Sequence, residues 1–303
     1  MSKYTLCACS TVDIDKKYLD DNNIGVVNFQ FILDGKSNKD DFGSNISLKD
    51  FYDLMRKGAK PTSSQPSPDA YLETWEKYLS EGNDVLHITL SSGISGAYNS
   101  ALIAKDLALE KYPERKVIVV DSLSASGGYG LLVKYALQKK NEGMNIEDLE
   151  KYVIDSRQKL HHVFYMSDLT SLIRGGRISA IAGAVGGILN IFPVLTCDKE
   201  GKLEIIDKVR GEGKAIKAVI KYITENVSNG FDFSDGFLLS HSDCMELAQN
   251  LINEVEKLFP KSKVVEVSSI GTTIGSHTGP GTVALFFLGN NRKWWSAKQG
   301  NLA

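Results

Sequence analysis

Residues 84–101 read DVLHITLSSGISGAYNSA, and their order decides the fold. Val85–Leu90 is an apolar run of strand length, and Ser91-Ser92-Gly93-Ile94-Ser95-Gly96 breaks it as a turn. An Ala-rich segment of helical character follows from Ala97 to Leu109. A buried strand feeding a glycine-rich turn and then a helix is the α/β arrangement for holding an anion. The turn lies at the carboxyl end of the strand, and the first helical N–H groups face outward without intrahelical partners. Three serine hydroxyls add donors that can turn toward a negative ligand.

The flanks extend this pattern. Residues 4–10 and 25–33 read as strands around a polar helical segment near Asp15–Asn22. Ser47 opens a short amphipathic helix ending near Gly58. The stretch from Lys60 to Pro68 is hydroxyl-rich and pinned by three prolines, so it reads as an ordered connector. Ser67 as N-cap and Pro68 at the first helical position then launch a helix to about Ser80. Val117–Asp121 is a fully apolar strand suited to a parallel sheet, and Asp121 reads as a strand-end cap. Small residues at Ser126–Gly130 start a helix able to approach another backbone closely. A further helix covers Ile146–Leu160.

Beyond residue 160 the pattern changes. His162–Met166 is strand-like, Arg174–Arg177 is a basic glycine-rich turn, and Ala180–Leu189 reads as an apolar, glycine-containing helix. Strands at Pro193–Cys197 and Lys202–Val209 flank the hairpin signal Asp198-Lys199-Glu200-Gly201. Helices at Lys214–Asn226 and Cys244–Phe259 alternate with three further strands, and Gly271–Gly281 reads as a turn. The expected fold class is α/β with two domains. Residues 1–160 form an open, mostly parallel sheet flanked by helices, and residues 161–303 form an α+β domain with an antiparallel sheet.

Composition narrows the function. The 303 residues are 42% hydrophobic and 24% charged with net charge −2, as in a soluble globular chain that does not offer nucleic acid a basic field. No apolar run approaches the roughly 18–20 residues of a membrane span, and MSKYTLCACS lacks the plan of a secretory signal. Cys7, Cys9, Cys197 and Cys244 complete no metal-ligand spacing, so Cys7 and Cys9 read as small buried thiols of a cytoplasmic protein. His87 lies inside the central apolar strand and reads as a hydrogen-bonded core histidine, while His161 and His162 read as structural or exposed.

Seven segments then stand in order between residues 61 and 281: PTSSQPS, LSSGISGAYNSA, VIVVDS with its trailing SASGGYG, GGRI, FPVL with its acidic-Gly turn, VRGEGKA and IGSHTGPG. Together they resemble the DegV family of bacterial proteins. The resemblance implies binding of a long-chain fatty acid, no cofactor, and service as the fatty-acid-binding subunit of a fatty acid kinase. Such a protein presents the carboxylate to a separate kinase subunit, does no chemistry of its own, and leaves room for transient membrane contact. It also implies a carboxylate site at Ser63, with Thr62 beside it, Ser95, Arg177 and His277. Arg210 and Lys214 fall in the segment that resembles the kinase-docking surface. This chain departs from the family pattern at Cys9-Ser10-Thr11, at Ser179 after GGRI, and at Gly211-Glu212-Gly213.

Two other readings use the same residues. Gly93-Ile94-Ser95-Gly96-Ala97 approaches a nucleophile elbow, so a serine hydrolase would pair Ser95 with His277 and an acid such as Asp168 or Asp243. Alternatively, the helix N-termini and Arg177 form a pocket for a small phosphorylated metabolite.

Overall fold

The computed structural model of the chain describes residues 3–179 and 190–292. In chain order the first elements are β1 (Tyr4–Cys9), α1 (Lys16–Asp21), β2 (Gly25–Val27), β3 (Gln30–Leu33), β4 (Lys36–Lys39), α2 (Leu48–Arg56) and β5 (Thr62–Ser64). Next come α3 (Pro68–Leu79), β6 (Asp84–Thr89), α4 (Ala97–Lys111), β7 (Val117–Asp121), α5 (Ser126–Asn141) and α6 (Ile146–Arg157). The second half holds β8 (Leu160–Tyr165), α7 (Thr170–Arg174), β9 (Ile191–Cys197), β10 (Leu203–Arg210) and α8 (Glu212–Asn226). It continues with β11 (Phe237–His241), α9 (Met245–Leu258), β12 (Val264–Ser269), α10 (Thr272–Thr278) and β13 (Val283–Leu288).

The central strand behaves as its sequence requires. All six residues of β6 are buried, and it pairs in parallel with β1 and β7 in a sheet of order β2-β1-β6-β7. A strand covered on both faces has no need of polar alternation. His87 lies inside this core. The Trp75 indole N–H donates to its Nδ1 at 3.2 Å, which leaves Nε2 to carry the proton toward the Cys9 thiol at 3.4 Å. Burial pushes the His87 pKa down to about 3, so the ring is neutral, and Cys7 and Cys9 are fully buried free thiols.

Residues 25–33 are two strands, not the single one expected. β1 gives way after Cys9 to a 3-10 turn at Ser10–Val12, so the chain beside it loses its partner beyond Val27. Phe29 then donates its N–H to Ser10 Oγ, and β3 joins a separate three-stranded sheet, β4-β3-β5. The third strand of that sheet is Thr62–Ser64, so part of the expected connector is a strand.

The chain enters a six-stranded sheet at Leu160. The strand order is β10-β9-β8-β13-β11-β12, antiparallel except for the parallel pair β11–β12. That exception to the expected antiparallel sheet follows from α9, a crossover helix that returns β12 in the direction of β11. The expected Gly271–Gly281 turn contains α10, which ends where Gly279 adopts φ +73°.

The four-stranded and six-stranded sheets share a wall, helix α5. A Cβ on Gly127 would lie 2.4 Å from Leu238 and Ser240 side-chain atoms of β11, and one on Gly128 would lie 2.5 Å from His162 Nε2. Only glycine permits this approach of helix to sheet. The β9–β10 hairpin closes the other side: Ser91 Oγ donates to Gly201 O at 2.9 Å, with Gly201 at φ +73°. Buried Arg292 ties the parts together, donating to the carbonyls of Asp198 (2.8 Å), Arg157 (2.9 Å) and Leu123 (3.2 Å). The expected helix Ala180–Leu189 and the tryptophans of the terminal segment lie outside the described residues. Among the described residues no helix is long and apolar enough to cross a membrane.

Candidate functional site

A cavity of about 290 Å³ lies where the three-stranded and six-stranded sheets meet the turn after β6 of the four-stranded sheet, near the lower end of the roughly 300–1,000 Å³ common for ligand pockets. Phe29, Leu90, Phe164, Leu172, Leu203 and Phe286 give it an apolar wall. Ser63, Ser95, Arg177 and His277 all line the same cavity, so four of the five expected site residues converge from four segments. Thr62 does not: it is exposed, and in a strand its side chain faces away from that of Ser63.

The convergence has a local cause in each segment. Strand β5 presents Ser63, whose Oγ lies 2.7 Å from His277 Nε2 on α10. Ser95 Oγ accepts the N–H of Ala97, the first residue of α4, at 3.2 Å, which holds the turn against the helix start while Ser95 lines the cavity. Arg177 is fixed by two backbone carbonyls: Nε donates to Ile94 O at 3.0 Å and Nη1 to Gly175 O at 2.5 Å. Gly175 in turn touches the histidine, for a Cβ there would lie 2.1 Å from His277 Nδ1. The Ile94–Ser95 turn, the Gly175–Arg177 turn, α10 and β5 thus form one connected cluster.

Its electrostatics are one-sided. Arg177 has no carboxylate partner among the described residues, and burial lowers its pKa. Burial, then Arg177 and Arg174, push the His277 pKa down to about 4, so the ring is neutral at pH 7. His277 Nδ1 is buried and has no hydrogen-bond partner among the described residues. Two hydroxyls, a fixed guanidinium with N–H groups to spare and a neutral imidazole are chemically able to hold an anion, and the wall beside them is able to take apolar groups.

The hydrolase arrangement is not assembled. His277 Nε2 meets Ser63, while Asp168 accepts from Thr170 and Asp243 accepts from Arg56 at 2.5 Å. Neither acid reaches the imidazole, so no triad forms around Ser95. Asp121 is the strand-end cap expected, accepting the N–H groups of Ser92 (3.1 Å) and Leu123 (3.0 Å). Arg210 and Lys214 are exposed and do not line the cavity.

Sequence reading missed several lining residues. Ser64 and Gln65 stand within the quoted PTSSQPS segment, so the signal was present. His161 is structural as read, bonded to Tyr222 and to Asn290 O, but its neighbour His162 lines the cavity. Two buried carboxylates also went unnoticed. Asp13 accepts from Gly271 N (2.9 Å) and Ser126 Oγ (2.5 Å), and Asp40 accepts from Thr272 Oγ1 (2.8 Å), so both anchor the start of the helix that carries His277.

Comparison with known proteins bears on this site. The family model described as "Uncharacterised protein, DegV family" matches residues 6–290. The chain belongs to the DegV family. A DegV domain-containing protein of Clostridium perfringens is 35% identical over 293 residues, covering 97% of this chain and 100% of the relative. A DegV lipid-binding protein from Thermotoga maritima superposes with TM-score 0.82 at 31% identity, covering 96% of this chain and 100% of that one. A DegV-family protein from Thermus thermophilus described by its fatty acid binding superposes with TM-score 0.82 at 30% identity, covering 95% and 99% of the two chains.

Proposed function

We propose that this chain carries a long-chain fatty acid, with the carboxylate at Ser63, Ser95, Arg177 and His277 and the hydrocarbon along the apolar cavity. The observation that carries the reading is the meeting of those four side chains at one cavity walled by Phe29, Phe164 and Phe286. The lipid and fatty-acid binding described for the Thermotoga and Thermus proteins supports it.

Magnitudes assign the roles. Burying about fourteen methylenes at ~0.8 kcal/mol each gives ~11 kcal/mol gross, before ordering costs. A charge-assisted hydrogen bond adds about 1.5–3 kcal/mol net. The tail therefore dominates affinity, and the polar cluster fixes where the carboxylate sits. Fixed placement suits a carrier that offers the head group to a separate kinase subunit, does no chemistry itself and needs no cofactor. Exposed Arg210 and Lys214 are the docking candidates for that subunit, in a cytoplasmic protein divided near residue 160. The mainly apolar wall disfavours a small phosphorylated metabolite.

Mass spectrometry of the denatured protein tests the proposal. An acyl chain released in near-stoichiometric amount, or taken up on incubation with oleate, is the expected result. Neither release nor uptake overturns it. Acyl phosphate formed only when the loaded protein, ATP and a fatty acid kinase subunit are combined tests the presentation step.

A further inference from the structure

Arg174 is a second cation beside the carboxylate cluster. It ends α7, three residues before Arg177, and is exposed where Arg177 is half-buried. Its Nη2 lies 3.3 Å from Ser276 O, the carbonyl that leads into His277, and 3.4 Å from Ser171 Oγ. Its charge also helps to hold the His277 ring neutral. His277 lines the cavity and Arg174 does not, so this guanidinium stands next to the imidazole but outside the cavity. Arginine presents several N–H donors in a planar fork, and among the described residues only Nη2 is engaged.

The positive charge exceeds what a carboxylate needs. Neither Arg174 nor Arg177 forms an ion pair among the described residues, and a bound carboxylate brings a single negative charge to the two of them. A phosphoryl group carries about −1.5 to −2 at pH 7 on three acceptor oxygens. We propose that Arg174 is a phosphoryl-binding residue: its exposed guanidinium, beside His277 and outside the cavity, binds the phosphoryl group of an acyl phosphate whose acyl chain fills the cavity. This role rests on the fatty-acid and kinase reading of the same site and extends it.

The transfer itself puts the new charge on that side. A carboxylate oxygen attacks the γ-phosphorus of ATP held by the kinase subunit. The new O–P bond forms, the bond from that phosphorus to the β–γ bridging oxygen breaks, and ADP leaves with the electron pair. No proton moves, and the negative charge on the carrier's ligand roughly doubles. A separate subunit reaches the carboxylate only from solvent, so the phosphoryl group arrives on the exposed side of the cluster, where Arg174 stands. The arginine fork matches phosphate oxygens in pairs, which a carboxylate already held by Arg177 does not require.

The test compares palmitate with hexadecyl phosphate, a stable phosphate on a saturated chain of the same carbon count, on delipidated full-length protein by calorimetry. The unaltered protein is expected to bind hexadecyl phosphate at least as tightly as palmitate. Arg174→Gln, which keeps a donor for Ser276 O and removes the charge, is expected to weaken hexadecyl phosphate by about tenfold and palmitate by less than about threefold. Arg174→Lys is expected to restore part of the loss, since an ammonium binds phosphate as a point charge. In the unaltered protein, the phosphorus resonance of bound hexadecyl phosphate is expected to titrate at lower pH than that of the free ligand, and in Arg174→Gln closer to it. Equal loss for both ligands, or no loss for either, overturns the proposal. So does a phosphorus titration that Arg174→Gln leaves unchanged. Failure of palmitate to bind the unaltered protein would count against the fatty-acid reading instead.

Discussion

The Ser63 hydroxyl and His277 Nε2 meet at 2.7 Å across 214 residues of chain, one on a short edge strand and the other on a seven-residue helix. This contact joins the small β4-β3-β5 sheet to the second half of the protein at the cavity wall. It makes the imidazole a reporter of what occupies the site.

His277 should titrate abnormally. Its folded-state pKa of about 4 lies below the ordinary 6.5, so between those values the unfolded chain binds the proton more readily. The stability this group contributes is full above pH 6.5 and is lost as pH falls through that window. A carboxylate bound beside it favours the charged ring and raises its pKa. Histidine NMR is expected to show a pKa near 4 in the lipid-free protein and a higher one with oleate bound. Identical titrations in both states would remove His277 from the head-group site.

Arg177→Ala is expected to weaken oleate binding by about 1.5–3 kcal/mol, roughly 10- to 150-fold. Arg177→Lys should recover little, because a single ammonium cannot bridge the Ile94 and Gly175 carbonyls and still face the cavity. Titration calorimetry measures both; full recovery by lysine would mean that charge alone matters.

Gly175→Ala separates the site from the fold. Gly175 has φ −75°, a conformation any residue adopts, yet its Cβ would come within 2.1 Å of His277 Nδ1. The ring must move and the Ser63 contact must break. Oleate affinity should fall roughly two- to tenfold, as in Ser63→Ala, with the melting temperature little changed. An unaltered affinity would show that the imidazole can shift without consequence.

Asp13→Asn should flatten the pH dependence of stability. Burial holds the Asp13 carboxyl well above its usual range, and the nearby Asp40 adds to this, although Ser126 and Gly271 donate to it. Native protein therefore binds this proton more tightly than unfolded protein, and stability falls as pH rises above the ordinary carboxylate range toward the raised value. Urea denaturation at pH 5 and pH 8 is expected to show a smaller drop in Asp13→Asn than in the unaltered chain. An equal drop would locate the dependence elsewhere.

Local chemistry explains what was legible in the sequence. The β6–turn–α4 unit could be read because an apolar run, a glycine-rich turn and a helix encode their structures within eighteen residues. The helix at Pro68 was legible from its cap, and Ser67 Oγ does accept the N–H of Ala70. The break at Asn28–Phe29 was not, because it is set by where β1 ends, a tertiary fact. Ser63, Ser95, Arg177 and His277 were named from family resemblance; nothing local to any of them announces that they share a cavity. His162 and Asp13 were missed because their importance arises from burial, which neighbouring residues in sequence do not reveal.

A crystal structure of the protein with oleate decides where the head group and the chain lie. The carboxylate oxygens are expected within hydrogen-bonding distance of Ser63, Ser95, Arg177 and His277, with the chain running past Phe164 and Phe286. A carboxylate at another end of the cavity, or hydrocarbon lying outside it, would overturn this placement of the fatty acid.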